Sequence, residues 1–113
     1  MAEQIARVVT AFQQRRIGHE PKSVSVVLGG DTLVVTLHSA LSPAEQLMSQ
    51  GPEGAARVQE FHRQLFQSAS ESIREDIKRI TTMDVRGAAV EVDHASGAVV
   101  QVFSSGTIVQ VLL

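Results

Sequence analysis

The sequence contains no cysteine, no tryptophan and no tyrosine, and it has only four phenylalanines. Without cysteine, thiolate nucleophiles, redox-active thiols and cysteine-based zinc sites are excluded. So few aromatic rings also argue against the stacking platforms that bind single-stranded nucleic acid. Lys and Arg number 10 against 12 Asp and Glu, for a net charge of -2, so the basic excess of a nucleic-acid-binding domain is missing. We therefore expect no nucleic-acid partner.

Long apolar runs are also missing, because no stretch of 18 residues is free of charged or polar side chains. We therefore expect no transmembrane segment. The chain begins Met-Ala-Glu-Gln, which is polar from the start and unlike a secretory signal, so a cytoplasmic location is expected. With 113 residues, 43% of them hydrophobic, the chain is predicted to form one domain over residues 1–113 that needs no disulfide or metal.

The chain is organised around an apolar stripe that recurs at spacings of three and four residues. This stripe predicts one long helix over residues 53–81, about 43 Å in length. His62 lies beside the stripe and is predicted to be half-exposed. A four-stranded sheet is only about 20 Å wide, so one end of the helix is expected to need cover from the short helix before it or from a second copy. The stripe comprises Val58, Phe61, Leu65, Ala69, Ile73, Ile77 and Ile80.

Two β-hairpins are predicted by alternating apolar and polar residues. The first joins residues 23–28 to residues 32–38 through Gly29-Gly30-Asp31. The second joins residues 84–93 to residues 98–103, with Gly87 as a candidate bulge.

Two further helices complete the predicted architecture. One spans residues 2–16 and ends at Gly18, and a short one spans residues 43–48 with Ser42 as N-cap and Glu45 closing a capping box. Residues 107–113 are predicted to be extended. The order α-β-β-(short α)-α-β-β indicates an α+β fold of two layers, an antiparallel sheet of about four strands covered on one face by the long helix.

No catalytic constellation is recognised, so the chain is predicted not to be an enzyme and to hold no cofactor or metal. None of the four histidines has a His or a carboxylate at metal-binding spacing on its own element, except that Asp93 precedes His94 in a turn. Neighbouring residues of a strand point to opposite faces, so that pair is not expected to chelate a metal together. Serines are numerous, but none lies in a Gly-x-Ser-x-Gly elbow. The Gly29-Gly30 pair is followed by a strand and no lysine, so a hairpin turn is favoured over a phosphate loop.

Four polar residues are the candidate contacts for a ligand or a partner: Glu45, Arg57, His62 and Arg63. If the fold brings them together, they would line a pocket between the sheet and the long helix. An anion-binding or small-molecule sensor, or an enzyme, is the alternative interpretation that this pocket would support. A solvated helix surface is the simpler explanation for the two arginines.

Five short motifs follow one another along the chain: Gly18-His19-Glu20-Pro21, Asp31, Leu41-Ser42-Pro43-Ala44-Glu45, Glu53-Gly54 and Arg63-Gln64-Leu65. In order and spacing they resemble the MpsC-like family of small bacterial domains, whose pattern is Gly-x-Gly-Pro, a hairpin with Asp at the turn, Leu-Thr-x-x-Glu, Glu-Gly opening a long helix, and a Val-rich hairpin. The resemblance covers about residues 5–103. The chain departs from that pattern at Glu20, at Ser42 and at Ala55, where a basic residue is common, which weakens an anion-binding role there.

This resemblance implies association with a sodium-translocating, membrane-potential-generating system, and it implies no catalytic residues. The function expected is that of a non-enzymatic accessory or regulatory protein in the cytoplasm, peripheral to the inner membrane, that contacts a membrane transport complex. A homodimer is also expected, because the segment 107–113 is apolar and uncharged and would be hidden by pairing with another chain. The long helix is the second candidate for the dimer surface.

Overall fold

The computed structural model describes residues 1–106 and contains four helices and four strands within them. The helices are α1 (Ala2–Ile17), α2 (Pro43–Met48), α3 (Pro52–Ser68) and α4 (Ser70–Thr81). The strands are β1 (Ser23–Gly29), β2 (Thr32–His38), β3 (Gly87–Asp93) and β4 (Ala98–Ser104). The predicted α+β class is confirmed. The expected extended segment at 107–113 lies outside the described residues.

All four strands form one antiparallel sheet in the order β1-β2-β4-β3. The two predicted hairpins therefore lie side by side, joined where β2 pairs with β4. Across the middle of the sheet, Val26 lies opposite Val35, Val35 opposite Gln101, and Gln101 opposite Val90. Because side chains alternate along a strand, these four residues share one face of the sheet.

That face is covered by helices and carries the core. In β2 the alternation is complete, since Leu33, Val35 and Leu37 are fully buried and their neighbours are half-buried. Helix α3 packs on β3, while α1 packs on β1 and on α4. The protein is thus two layers thick, as predicted, but several helices rather than one cover the sheet.

The single long helix predicted for residues 53–81 is wrong, because the helix breaks at Ala69. Ala69 has φ −109° and ψ 4°, outside the helical region, and the Ser68 hydroxyl donates to the carbonyl of Leu65 at 2.8 Å. Such bonding of a serine to the preceding turn competes with the helical backbone pattern. The break lets α4 lie against α1 while α3 remains on β3. The expected overhang of the helix is therefore covered by α1, and it no longer argues for a second copy.

The buried face of α3 also differs from the predicted stripe. His62 is 3% exposed and Phe66 is 4% exposed, whereas Phe61 is 46% exposed and Leu65 is half-buried. Residues three and four apart both lie near one helix face, so spacing alone left two adjacent rows to choose from. The row of α3 that is buried is the one that contains Phe66, whose ring centre lies 5.6 Å from that of Phe103 in β4.

Several predicted boundaries are confirmed, with one exception. Gly18 ends α1 in the left-handed region at φ 78°, and β2 has the predicted bounds. β3 begins at Gly87 rather than at residue 84, so Gly87 starts the strand and forms no bulge. The N–H of Arg86 already donates to the carbonyl of Ser104 at 2.8 Å, which aligns the chain for the strand.

The two phenylalanines of α3 test which row of the helix is core. Phe66→Ala should lower the free energy of unfolding by about 3–5 kcal/mol, the range for emptying a buried aromatic site. Phe61→Ala, the matched control on the same helix, should cost about 1 kcal/mol or less, because nearly half of that side chain is already in water. Urea denaturation measures both, and equal losses would contradict the assigned face.

Candidate functional site

Helix α2 begins with a complete capping box. The N–H of Glu45 donates to the Ser42 hydroxyl oxygen at 3.3 Å, and the N–H of Ser42 donates to Oε1 of Glu45 at 3.0 Å. Pro43 occupies the first turn, where its missing N–H costs nothing. The predicted N-cap and its partner are confirmed, and the box orients the Glu45 carboxylate.

The second carboxylate oxygen of Glu45 reaches α3. Nε2 of His62 lies 2.6 Å from Oε2 of Glu45, and the two residues are 3% and 8% exposed. One carboxylate therefore caps α2 and also bonds α2 to the buried side of α3. His62 is fully buried, so its predicted half-exposed position is wrong. The reason is this long-range partner, 17 positions away in the sequence.

Opposing effects set the pKa of the Glu45 carboxyl. Burial raises it, but hydrogen bonds from His62 and from the backbone of Ser42, together with the charge of His62, outweigh burial and hold the pKa below its usual value. Glu45 is therefore ionised near neutral pH, and it is held ionised by the groups that position it.

Beside this pair, a cavity of about 300 Å³ opens between α2 and α3. Its walls are Glu45, Met48, Arg57, Val58 and Phe61. Three large apolar side chains of the two helices are exposed: Met48 at 45% and Phe61 at 46%, which line the cavity, and Leu47 at 68%, which precedes Met48 in α2. We call Leu47, Met48 and Phe61, with the cavity, the α2–α3 apolar patch. Sequence reasoning missed it, although Leu47-Met48 at the end of a six-residue helix was a signal of apolar exposure.

The four candidate contact residues do not all come together. Glu45 and Arg57 share the cavity wall, His62 lies behind it bonded to Glu45, and Arg57 pairs with Glu53 at 3.0 Å. Arg63 is elsewhere on the surface and donates from Nε to Glu60 at 2.8 Å. Hydrogen bonds from Arg63 and Gln64 lower the pKa of Glu60 to about 2. The cavity that Glu45 and Arg57 line thus lies between α2 and α3.

The remaining histidines make separate hydrogen bonds. His19 Nε2 lies 3.1 Å from the carbonyl of Ser39, His38 Nε2 lies 2.9 Å from the Ser25 hydroxyl, and His94 Nδ1 lies 3.0 Å from the Ser49 hydroxyl. In the part of the chain that the structure describes, no three His, Asp or Glu side chains are grouped closely enough to hold a metal ion.

A further polar contact was not foreseen from the sequence. The Gln59 side chain on α3 donates from Nε2 to the carbonyl of Val90 at 3.2 Å and accepts from the N–H of Val92 at 2.8 Å. Its amide thus bonds to the strand β3 as a neighbouring strand would. No local pattern distinguishes Gln59 from the other polar residues of α3, so only the docking of α3 on β3 reveals this role.

Comparison with known proteins bears on the motif resemblance. The family model described as "Na+-translocating membrane potential-generating system (MpsC)" matches residues 1–105, which confirms that resemblance. The chain is also similar to "Uncharacterized protein YbcI" of Bacillus subtilis (strain 168), at 25% identity over 100 residues that make up 88% of this chain and 81% of that protein. No solved structure matches. Within residues 1–106, no helix is both long and apolar enough to cross a membrane.

The Glu45–His62 pair predicts a pH dependence of stability. The pKa of Glu45 is lower in the folded protein than in the unfolded chain. The carboxylate therefore stabilises the folded protein fully at pH values above the unfolded pKa, and this stabilisation is lost as the pH falls through the folded pKa. Glu45→Gln should therefore lower the free energy of unfolding by about 1–3 kcal/mol at pH 7. The gap to wild type should narrow between about pH 5 and pH 3.

The matched control is Glu53→Gln, which removes an exposed i,i+4 pair with Arg57 within α3. Its effect should stay below about 0.5 kcal/mol at every pH. Glu60 is common to all three proteins, so its own titration cancels in the comparison. Urea denaturation from pH 7 to pH 3 measures the difference in free energy of unfolding between each variant and wild type. If this difference stays constant with pH for Glu45→Gln, the role assigned to the carboxylate is contradicted.

Proposed function

We propose, from the premise that this chain belongs to the MpsC family, that it is a non-enzymatic accessory protein that acts by protein–protein contact with a membrane ion-transport system. The description of the family names a Na+-translocating membrane potential-generating system. The relative YbcI is uncharacterised and suggests no activity of its own. In this proposal the protein acts at the cytoplasmic side of the inner membrane, as a binding component.

The observation that carries the proposal is the α2–α3 apolar patch. Leu47, Met48 and Phe61 keep 68%, 45% and 46% of their surface in water, and they lie on adjacent helices. Burial of apolar surface contributes roughly 25 cal/mol per Å², so a partner that covers these side chains gains affinity from the contact. Clustered apolar exposure of this kind is typical of protein interaction sites.

The patch is also rigid, which favours binding. The capping box holds α2 in place, and the Glu45–His62 bond ties α2 to α3 beneath the exposed side chains. A preformed surface loses little conformational entropy on association. The cavity between the helices, of about 300 Å³, would receive an apolar side chain of the partner, with Glu45 and Arg57 as its polar lining.

A homodimer is the second part of the proposal. Closed two-fold dimers are the commonest soluble oligomers, and a dimer would present two copies of the α2–α3 apolar patch to a membrane complex. Two patches on one particle raise the effective concentration of the second contact. The proposal leaves the patch free for the transport partner and assigns the dimer to another surface.

A small-molecule or anion sensor is the second candidate. The observation in its favour is that Glu45 and Arg57 both line the cavity, so a ligand would meet charge as well as apolar wall. A ligand that binds only the folded protein raises its apparent stability. A thermal-shift screen with metabolites and inorganic anions therefore separates this function from a purely protein-binding one.

The direct test is site-specific photo-crosslinking in the native host. A photoreactive phenylalanine analogue at Leu47 or Phe61 should form an adduct with a membrane ion-transport component, identified by mass spectrometry. The same analogue at Gln67, an exposed residue of α3 whose side chain points about a third of a turn away from Phe61, serves as control and should form no such adduct. With the analogue at Leu47, Phe61→Ser should lower the yield of this adduct at least ten-fold.

Two results would reject the proposed function. One is no adduct with a membrane transport component from either patch position. The other is an adduct of equal yield from Gln67, which would mean that contact is not confined to the patch.

A further inference from the structure

The two edges of the sheet differ in how their outward backbone groups are bonded. At the β3 edge, the Gln59 amide occupies the outward carbonyl of Val90 and the outward N–H of Val92. A neighbouring strand would use the same two groups. Since α3 supplies a side chain in their place, the β3 edge is protected against pairing with another strand.

The β1 edge has no comparable protection within residues 1–106, where β2 is its only strand neighbour. β1 contains no proline and no charged residue, the two devices that usually prevent strand addition. Val27 is 62% exposed and Leu28 is 41% exposed. As far as the described residues are concerned, this edge therefore offers both unpaired backbone groups and apolar surface.

The hairpin determines which backbone groups of β1 point outward. Gly29 lies opposite Thr32, and the two are joined by the two-residue turn Gly30-Asp31 with Gly30 at φ 58°. Residues that flank a two-residue turn exchange hydrogen bonds, and such pairs alternate along an antiparallel ladder. The bonds to β2 therefore come from Gly29 and every second residue before it. The outward groups belong to Val24, Val26 and Leu28.

We propose that the β1 edge binds the β1 edge of a second copy, antiparallel and around a two-fold axis at Val26. The inference rests on the homodimer of the proposed function and names its surface. In this register all seven residues of β1 are paired. Val24 lies opposite Leu28 of the partner subunit, and Ser25 lies opposite Val27 of the partner subunit. The two four-stranded sheets become one sheet of eight strands.

A second copy is the occupant because the edge is complementary to itself. Three donors and three acceptors on alternate residues match the same set on an antiparallel copy, and neither strand carries charge that would oppose the approach. Each Val27, exposed in one protomer, is then flanked by a strand of the partner. An isologous contact of this kind closes with two copies and leaves the β3 edges outside, where Gln59 protects them.

The first test compares two exposed apolar residues changed to the same charge. Val27→Lys should weaken the dimer at least 100-fold in sedimentation equilibrium at micromolar concentration, because a lysine in the middle of an edge strand opposes pairing with another strand. Leu47→Lys, which alters the α2–α3 apolar patch, should dimerise like wild type. Val109→Lys, in the C-terminal segment beyond the described residues, should also dimerise like wild type.

The results separate the inference from the proposed function. A monomeric wild type would reject both this interface and the homodimer. A dimer that survives Val27→Lys, or one lost in Leu47→Lys or Val109→Lys, would overturn the β1 interface alone and move the contact to another surface. Photo-crosslinking from Leu47 to a transport component is independent of these measurements.

The second test uses disulfide formation and does not depend on weakening the dimer. The chain has no cysteine, so introduced thiols are the only ones present. In the proposed register Ser25 and Val27 of the partner subunit form a non-hydrogen-bonded pair with Cα atoms about 4.5 Å apart. The two copies of position 25 are about 8 Å apart, beyond disulfide reach.

A mixture of Ser25→Cys and Val27→Cys proteins should therefore form a covalent dimer on mild oxidation. Non-reducing gels should show this dimer at a yield at least ten-fold above that of either protein alone. A mixture that stays monomeric on the gel would overturn the proposal. Cross-linking of Val27→Cys alone at equal yield would contradict the register centred on Val26.

Discussion

The pairing of β2 with β4 is the constraint on which the rest of the structure depends. Each hairpin is local and forms from its own turn, but the two hairpins are separated by the whole of α2, α3 and α4. Joining them through β2 and β4 creates one sheet with a single apolar face, on which Leu33, Leu37 and Phe103 are fully buried. An apolar sheet face must be covered, and this requirement sets the positions of α1, α3 and α4.

The helices that cover the sheet also create the candidate site. Because α3 lies on β3, it turns His62 inward and leaves Phe61 outward, and Gln59 meets the edge of β3. α2 is too short to be stable alone, and it is held by its capping box and by the bond from Glu45 to His62. The chain belongs to the MpsC family, whose description names a Na+-translocating membrane potential-generating system, and its helices α2 and α3 expose Leu47, Met48 and Phe61.

Features that arise from neighbours in the chain could be predicted from the sequence. The turn at Gly30, the stop at Gly18 and the cap at Ser42 depend on local backbone geometry and on side chains within three residues, so their patterns were sufficient. Glu45 and His62 were both recognised as candidate contact residues, but their bond was not, because 17 positions separate them. Arg63 was grouped with them and lies elsewhere, paired with Glu60.

The sequence by itself determined the two hairpins, the helices α1 and α2 and the α+β class, since periodicity and turn chemistry act over a few residues. Only the tertiary structure decided the break at Ala69, the inward row of α3 and the protection of one sheet edge by Gln59. Apolar residues three or four apart can all face a core, and the choice between them depends on which surface lies opposite. Here that surface is formed by β4 and α2, whose Phe103 and Glu45 meet Phe66 and His62.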